Sequence, residues 1–308
     1  MIVVIGSINM DLVLHAPRMP LPGETLQGGP FRLIPGGKGA NQAVACARLD
    51  HGAGRNKGGG APRVAMIGCL GDDAFGTTLR NALRNEGIDD SYVSVVPGTA
   101  SGVASILVDA GGQNCIVLAG GANDNLSPAH IDAARSRIEQ ASIVVLQLEI
   151  PLETVRHAVG MARALGKTVV LNPAPAQDLP ADLLAQVDYL IPNEVEVAAL
   201  CDAGKDLTFS ERAARLRATG CRNVLTTLGS KGIHAALEKG EHVFPAQRVK
   251  AVDTTAAGDT FIGGFVAALA GGLDELDAIA FGQRAAAWSV MRVGAQSSIP
   301  RYSDLKSF

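Results

Sequence analysis

Aromatic side chains are scarce in this sequence, 4% of 308 residues with a single tryptophan. The interleaved basic and aromatic clusters that grip nucleic acid are therefore missing, and 27 Lys and Arg against 30 Asp and Glu leave no basic excess to hold a polyanion. No nucleic-acid partner is expected, and any phosphate must be bound locally. Long apolar runs are missing too: none approaches the roughly 20 residues of a membrane helix. The opening MIVVIGSINMDLV carries neither a basic n-region nor a cleavage site. These absences make the cytoplasm the expected compartment, with no membrane partner. Cys46, Cys69, Cys115, Cys201 and Cys221 are odd in number and scattered, with no CxxC pair, which fits buried thiols in a reducing compartment. The histidines (His15, His51, His130, His157, His234, His242) show no metal spacing, so zinc and Ser-His-Asp chemistry have no support.

What the chain has is small and apolar. Residues of the hydrophobic class make up 47% and mean hydropathy is +0.19, enough for a large core in one domain spanning 1–308. Apolar runs bounded by turn residues predict buried strands at Ile2-Ile5, Arg63-Ile67, Ser142-Gln147, Thr168-Leu171, Tyr189-Pro192 and Asn223-Thr227. Helical windows lie at Ala40-Arg48, Ala74-Asn85, Leu152-Leu165, Ala181-Ala185, Glu194-Cys201, Ser210-Ala218, Asp259-Ala270 and Glu275-Met291. Such alternation predicts an α/β fold, a doubly wound, mainly parallel sheet between helices. Two turn-rich stretches without helical period, about 11–35 and 92–118, are expected to form one small inserted β-sheet acting as a lid. The polar, Gly-rich Asp50-Pro62 reads as a surface loop. Neither its Gly52-x-Gly54 nor Gly160…Gly166-Lys167-Thr168 meets the spacing of a dinucleotide or Walker loop.

The strongest chemical signal is VDTTAAGDTF at 252–261, running into an apolar helix. Small residues there leave backbone N–H groups open at a helix start, where the dipole also favours phosphate. Asp259 in the first turn would stand beside a transferring phosphoryl group, placed to take a hydroxyl proton; an ordinary helix cap is the alternative. A second signal is PGGKGANQ at 35–42, whose glycines admit a ligand to the backbone and whose Asn41 offers donor and acceptor. Asn9-Met10-Asp11, Glu149, Asn193 with Glu196, and the turn Thr227-Leu228-Gly229-Ser230-Lys231-Gly232 all follow predicted strands, where open α/β sheets gather ligands.

Taken in order, GSINMD, PGGKGANQAVACARL, IGCLGDDAFG, SGVASILVD, GGAN, LQLEIP, LNPAPA, IPNEVE, TTLGSKG, VDTTAAGDTF and VGAQSSIP resemble the ribokinase-like sugar kinase family, from near residue 4 to near residue 300. The resemblance implies transfer of phosphate from MgATP to the O5 hydroxyl of D-ribose, with Asp259 as general base. Another sugar (fructose, 2-keto-3-deoxygluconate) or a nucleoside such as adenosine is the alternative acceptor. It implies a sugar site of Asn9, Met10, Asp11, Gly37, Lys38, Gly39, Ala40, Asn41, Glu149 and Asp259. Nucleotide binding falls on Asn193, Thr227, Leu228, Gly229, Ser230, Lys231, Gly232, Gly258, Asp259 and Gln283. Glu196 is implied for the magnesium and phosphate network, and Asp253, Thr255, Ser289, Arg292, Gly294 and Ser298 for K⁺. A homodimer through the lid is implied as well.

Overall fold

The structure of the chain, a computed structural model, describes residues 1–50, 63–201 and 206–308. Its elements begin with β1 (Ile2–Ile5), β2 (Asn9–His15), β3 (Phe31–Gly36), α1 (Lys38–Leu49), β4 (Val64–Gly71), α2 (Ala74–Asn85), β5 (Asp89–Val96), β6 (Gly102–Val108) and β7 (Asn114–Ala119). They continue with α3 (Pro128–Ala133), α4 (Arg135–Gln140), β8 (Ile143–Leu146), α5 (Leu152–Ala164), β9 (Thr168–Leu171), α6 (Ala181–Leu184), β10 (Tyr189–Leu190) and α7 (Glu194–Leu200). The last are α8 (Phe209–Ala218), β11 (Asn223–Thr227), β12 (Ile233–Leu237), β13 (Gly240–Phe244), α9 (Ala257–Ala270) and α10 (Glu275–Ser289).

One sheet takes the order β13-β12-β11-β10-β9-β8-β1-β4-β5. It is parallel from β11 to β5, and β12 and β13 return antiparallel at one edge. The central strands β1, β4 and β8 are buried on both faces because helices cover both. Ile2 and Val4 point into a core shared with α1, α2, α9 and α10, whereas Val3 and Ile5 point into a second core shared with α3 to α8. Each large side chain buried there contributes about 1.5–3 kcal/mol. β1 lies between β4 and β8, so the strand order reverses at β1 and a crevice opens outside the carboxyl ends.

The smaller sheet has the order β3-β2-β6-β7. It is mixed: β2 runs antiparallel to β3 and parallel to β6, and β7 turns back on β6. Of the stretch 92–118 expected in this sheet, β6 and β7 belong to it, but Tyr92 through Val96 does not. β5 instead pairs parallel with β4, Ile67 opposite Tyr92. The reason is packing, since Ile88 and Val93 join Leu79 and Leu83 of α2 in the first core and β4-α2-β5 closes an ordinary crossover unit. The hairpin β12-β13 and helices α3 and α4 were not expected from the sequence. Apart from Asp50, the Gly-rich stretch Asp50-Pro62 lies outside the described residues. Among those residues no helix is long and apolar enough to cross a membrane.

Candidate active site

The site is built around the start of α9. Ala256, the N-cap, sits in the left-handed region at φ 57°, and no side chain caps the helix. Ala257 N donates to Thr254 O at 3.2 Å, while the following N–H groups face a cleft of about 220 Å³ lined by Gly258, Asp259, Lys38, Asn193, Glu196 and Asn172. Unpaired first-turn donors and the positive helix end make this an anion site.

Asp259 does not cap α9. Its carboxylate, 8% exposed, accepts from Asn41 Nδ2 at 3.1 Å through Oδ2 and from Gln42 Nε2 at 2.9 Å through Oδ1. Both donors project from α1, which enters directly from the glycine turn. That turn depends on missing side chains: Gly37 has φ 89°, and a Cβ on it would lie 2.7 Å from Asn9 N. A Cβ on Gly36 would fall 2.3 Å from Asp11 Oδ2. The backbone of the PGGKGANQ turn therefore lies directly against β2, with Lys38 and Asn41 turned toward the crevice.

On the other side of Asp259 lie Asp11, Asn9, Glu149 and Lys38. Glu149 Oε2 accepts from Ser7 Oγ at 2.6 Å, Lys38 N at 3.3 Å and Asn9 Nδ2 at 3.4 Å. Asn9 Oδ1 accepts from Asn123 Nδ2 at 2.7 Å, which fixes the Asn9 amide. Burial, then the carboxylates of Glu149 and Asp259, push the Asp11 carboxyl up to about 7, against the pull of Lys38. For Lys38, burial works downward, but Asp259, Glu149, Glu196 and Asp11 outweigh it and raise its pKa. Met10, between Asn9 and Asp11 on β2, is 1% exposed and packs in the first core.

Beyond the anion site the cleft widens into an apolar pocket of about 430 Å³. Thr227, Gly229, Ser230 and Gly232 line it, as do Val249, Phe261, Gln283 and Ala287. Two residues of the predicted turn are placed otherwise. Leu228 is 8% exposed, and Lys231 Nζ pairs with Glu194 Oε1 at 2.9 Å on the surface. Gln283 donates to Phe244 O and Pro245 O at 3.2 and 2.9 Å. Asn193 caps α7: its Oδ1 accepts from Val195 N and Glu196 N, and both Glu196 oxygens accept from Asn193. Burial raises the Glu196 pKa, opposed by the Asn193 N–H and by Lys38.

A pfkB family carbohydrate kinase model matches residues 1–301. The chain belongs to the pfkB family of carbohydrate kinases. It is 42% identical to a ribokinase of Haemophilus influenzae, covering 99% of this chain and 97% of that one. It is also 40% identical to a deoxyribokinase of Salmonella typhi, covering 100% and 98%. A solved ribokinase of Arabidopsis thaliana, complexed with ribose and ATP, matches with a TM-score of 0.87 at 30% identity, covering 99% of this chain and 97% of that one.

In this pfkB kinase the candidate cation residues gather behind the anion site. Asp253 Oδ1 accepts from Thr255 N and Thr255 Oγ1 at 2.9 and 2.6 Å, and its Oδ2 accepts from Gly294 N at 2.8 Å. Val290 O receives Val252 N and Asp253 N, which joins the loop to the end of α10. Ser289 Oγ and Ser298 Oγ donate to Ala286 O and Ala295 O, leaving oxygen lone pairs. Arg292 stacks on Trp288 at 3.9 Å and is turned away, so only its backbone could serve. Among the described residues no three His, Cys, Asp or Glu gather as a metal site.

Sequence reasoning singled out none of Ser7, Asn123, Gln147 and Asn172, all buried. Ser7, Gln147 and Asn172 each follow an apolar strand at its carboxyl end, IVVI-GS, IVVL-Q and TVVL-N. A polar residue ending each buried run was the signal available.

Proposed function

We propose that this pfkB kinase transfers the γ-phosphoryl group of ATP to O5 of D-ribose, giving D-ribose 5-phosphate and ADP. The observation that carries the reading is the position of Asp259, between a polyhydroxyl-binding cluster on one side and an anion site opening into an apolar pocket on the other. In-line attack by O5 on the γ-phosphorus forms the new P–O bond as the bond to the β–γ bridging oxygen breaks. Asp259 takes the O5 proton, Lys38 and the α9 N–H groups stabilise charge on the transferring oxygens, and Asp11, Asn9, Asn41 and Glu149 hold the sugar. Thr227 to Gly232, Gly258 and Gln283 flank the nucleotide.

Bound Mg²⁺ would supply positive charge to offset that of the ATP phosphates. Glu196, with Asn193 beside it, fits such an ion held largely through water and phosphate, since Mg²⁺ keeps several waters and takes few carboxylates. The oxygen set of Asp253, Thr255, Ser289, Arg292, Gly294 and Ser298, mostly backbone and hydroxyl, suits K⁺. Such an ion would hold the backbone before α9 without touching substrate. The small sheet would cover the sugar and pair with a second copy, supported by its exposed Phe31, Leu33, Ile116 and Val117. The cytoplasm is the compartment we propose, supported by the buried thiols of Cys46, Cys69, Cys201 and Cys221; Cys115, expected to be buried, is instead exposed on β7.

A second acceptor, 2-deoxyribose, is favoured by the deoxyribokinase relative. ADP release measured across ribose, 2-deoxyribose, fructose, 2-keto-3-deoxygluconate and adenosine tests the assignment. Ribose should give the highest kcat/KM, and a higher value for any other acceptor would overturn it.

A further inference from the structure

Three motifs that the mechanism above leaves idle converge beneath Asp259. Gln42 comes from α1, Gln147 from the end of β8 and Asn172 from the end of β9. Gln42 and Gln147 have no exposed surface and Asn172 is 7% exposed. Their polarity is forced from one end. The backbone carbonyl of Ile191 can only accept, so Asn172 turns Nδ2 to it at 2.9 Å and leaves Oδ1 for Gln42. Gln42 must then present Nε2, which donates to Asn172 Oδ1 at 3.2 Å and to Asp259 Oδ1 at 2.9 Å. Its Oε1 accepts from Gln147 Nε2 at 2.6 Å. Both N–H groups and the carbonyl of Gln42 are thereby engaged, and turning the amide over would set its carbonyl against the acceptors Asn172 Oδ1 and Asp259 Oδ1.

Asn41, the other partner of Asp259, is held differently. Its Oδ1 is buried with no hydrogen-bond partner, so that amide can rotate. The carboxylate thus has one locked donor on Oδ1 and one adjustable donor on Oδ2.

We propose that Gln42 is a positioning residue for the phosphoryl transfer, an amide oriented by Asn172 and supported by Gln147 that holds the Asp259 carboxylate in the plane from which it receives the O5 proton. The inference rests on Asp259 being the base. Gln42 does not meet either substrate and acts only through Asp259. Misplacement of a reacting group by about 1 Å can cost on the order of 10²-fold in rate.

The test is a double-mutant cycle with Gln42→Met, which keeps length and removes every polar atom, and Asp259→Asn. Alone, Gln42→Met should lower kcat about 10- to 100-fold with both KM values within about twofold of wild type. In the Asp259→Asn background it should lower kcat less than about twofold, because nothing remains to be positioned. Equal losses in the two backgrounds, or an unchanged kcat in the single variant, would overturn the proposal. A wild-type kcat in Asp259→Asn alone would instead overturn the base assignment. Should Gln42→Met not fold, Gln147→Met decides: a lowered kcat at unchanged KM supports the proposal, and an unchanged kcat contradicts it.

Discussion

Asp11 carries the clearest conflict between stability and binding. Its folded carboxyl titrates at about 7, raised by burial and by Glu149 and Asp259 from an ordinary value near 4. Between those values the folded chain keeps a proton that the unfolded chain has released. Stability therefore falls as pH rises from about 4 to about 7, and stays lowered above that window. Asp11→Asn removes the burden while keeping shape. The variant should melt above wild type at pH 8, with the gap closing toward pH 4, and its sugar affinity should drop by about 1–3 kcal/mol with ATP affinity kept. Thermal melts across pH with sugar and ATP titrations check this; a gap independent of pH, or equal loss of both affinities, would count against it. At this scale the sequence was legible for charged residues after predicted strands, Asp11 and Glu149, and for Asp259 at a helix start. The amides were harder, because Gln147 and Asn172 are ordinary residues until the fold sets them beside Gln42.

The first turn of α9 does its work by holding its own N–H groups open. Ala256 supports it from a left-handed conformation that costs an alanine about 1–2 kcal/mol. Ala256→Gly should be near neutral, since relief of that strain offsets the added freedom of the unfolded chain. Ala256→Val should lose about 1–3 kcal/mol in denaturant unfolding, because a branched side chain resists this backbone. Equal stability of the two variants would contradict the assigned conformation. Elements with a strong apolar period, such as α5 and α9, were readable to within a residue or two. The sheet to which β5 belongs was not, because a short strand's side-chain pattern does not name its neighbour. Strand β12 was hidden because Gly229 to Gly232, which joins it to β11, reads as a turn whether a strand or a loop follows.

For the whole molecule, the small sheet leaves Phe31 58%, Leu33 50% and Val117 65% exposed, on edge strands β3 and β7. Exposed apolar side chains on sheet edges are partners for a second chain. Sedimentation should find a dimer that Val117→Asp shifts toward monomer, and a wild-type monomer at working concentration would contradict the pairing. The large sheet gathers the strand ends, α1 supplies the donors and α9 the proposed base, so the central claim concerns how these parts meet at Asp259. Asp259→Asn is the direct measurement. Its new amide is accommodated because Asn41 can rotate to accept from it, so the fold and ATP affinity should be kept. Turnover should fall by about 10²–10⁴, the usual loss for a missing general base. Retention of more than about a third of wild-type turnover would contradict the account.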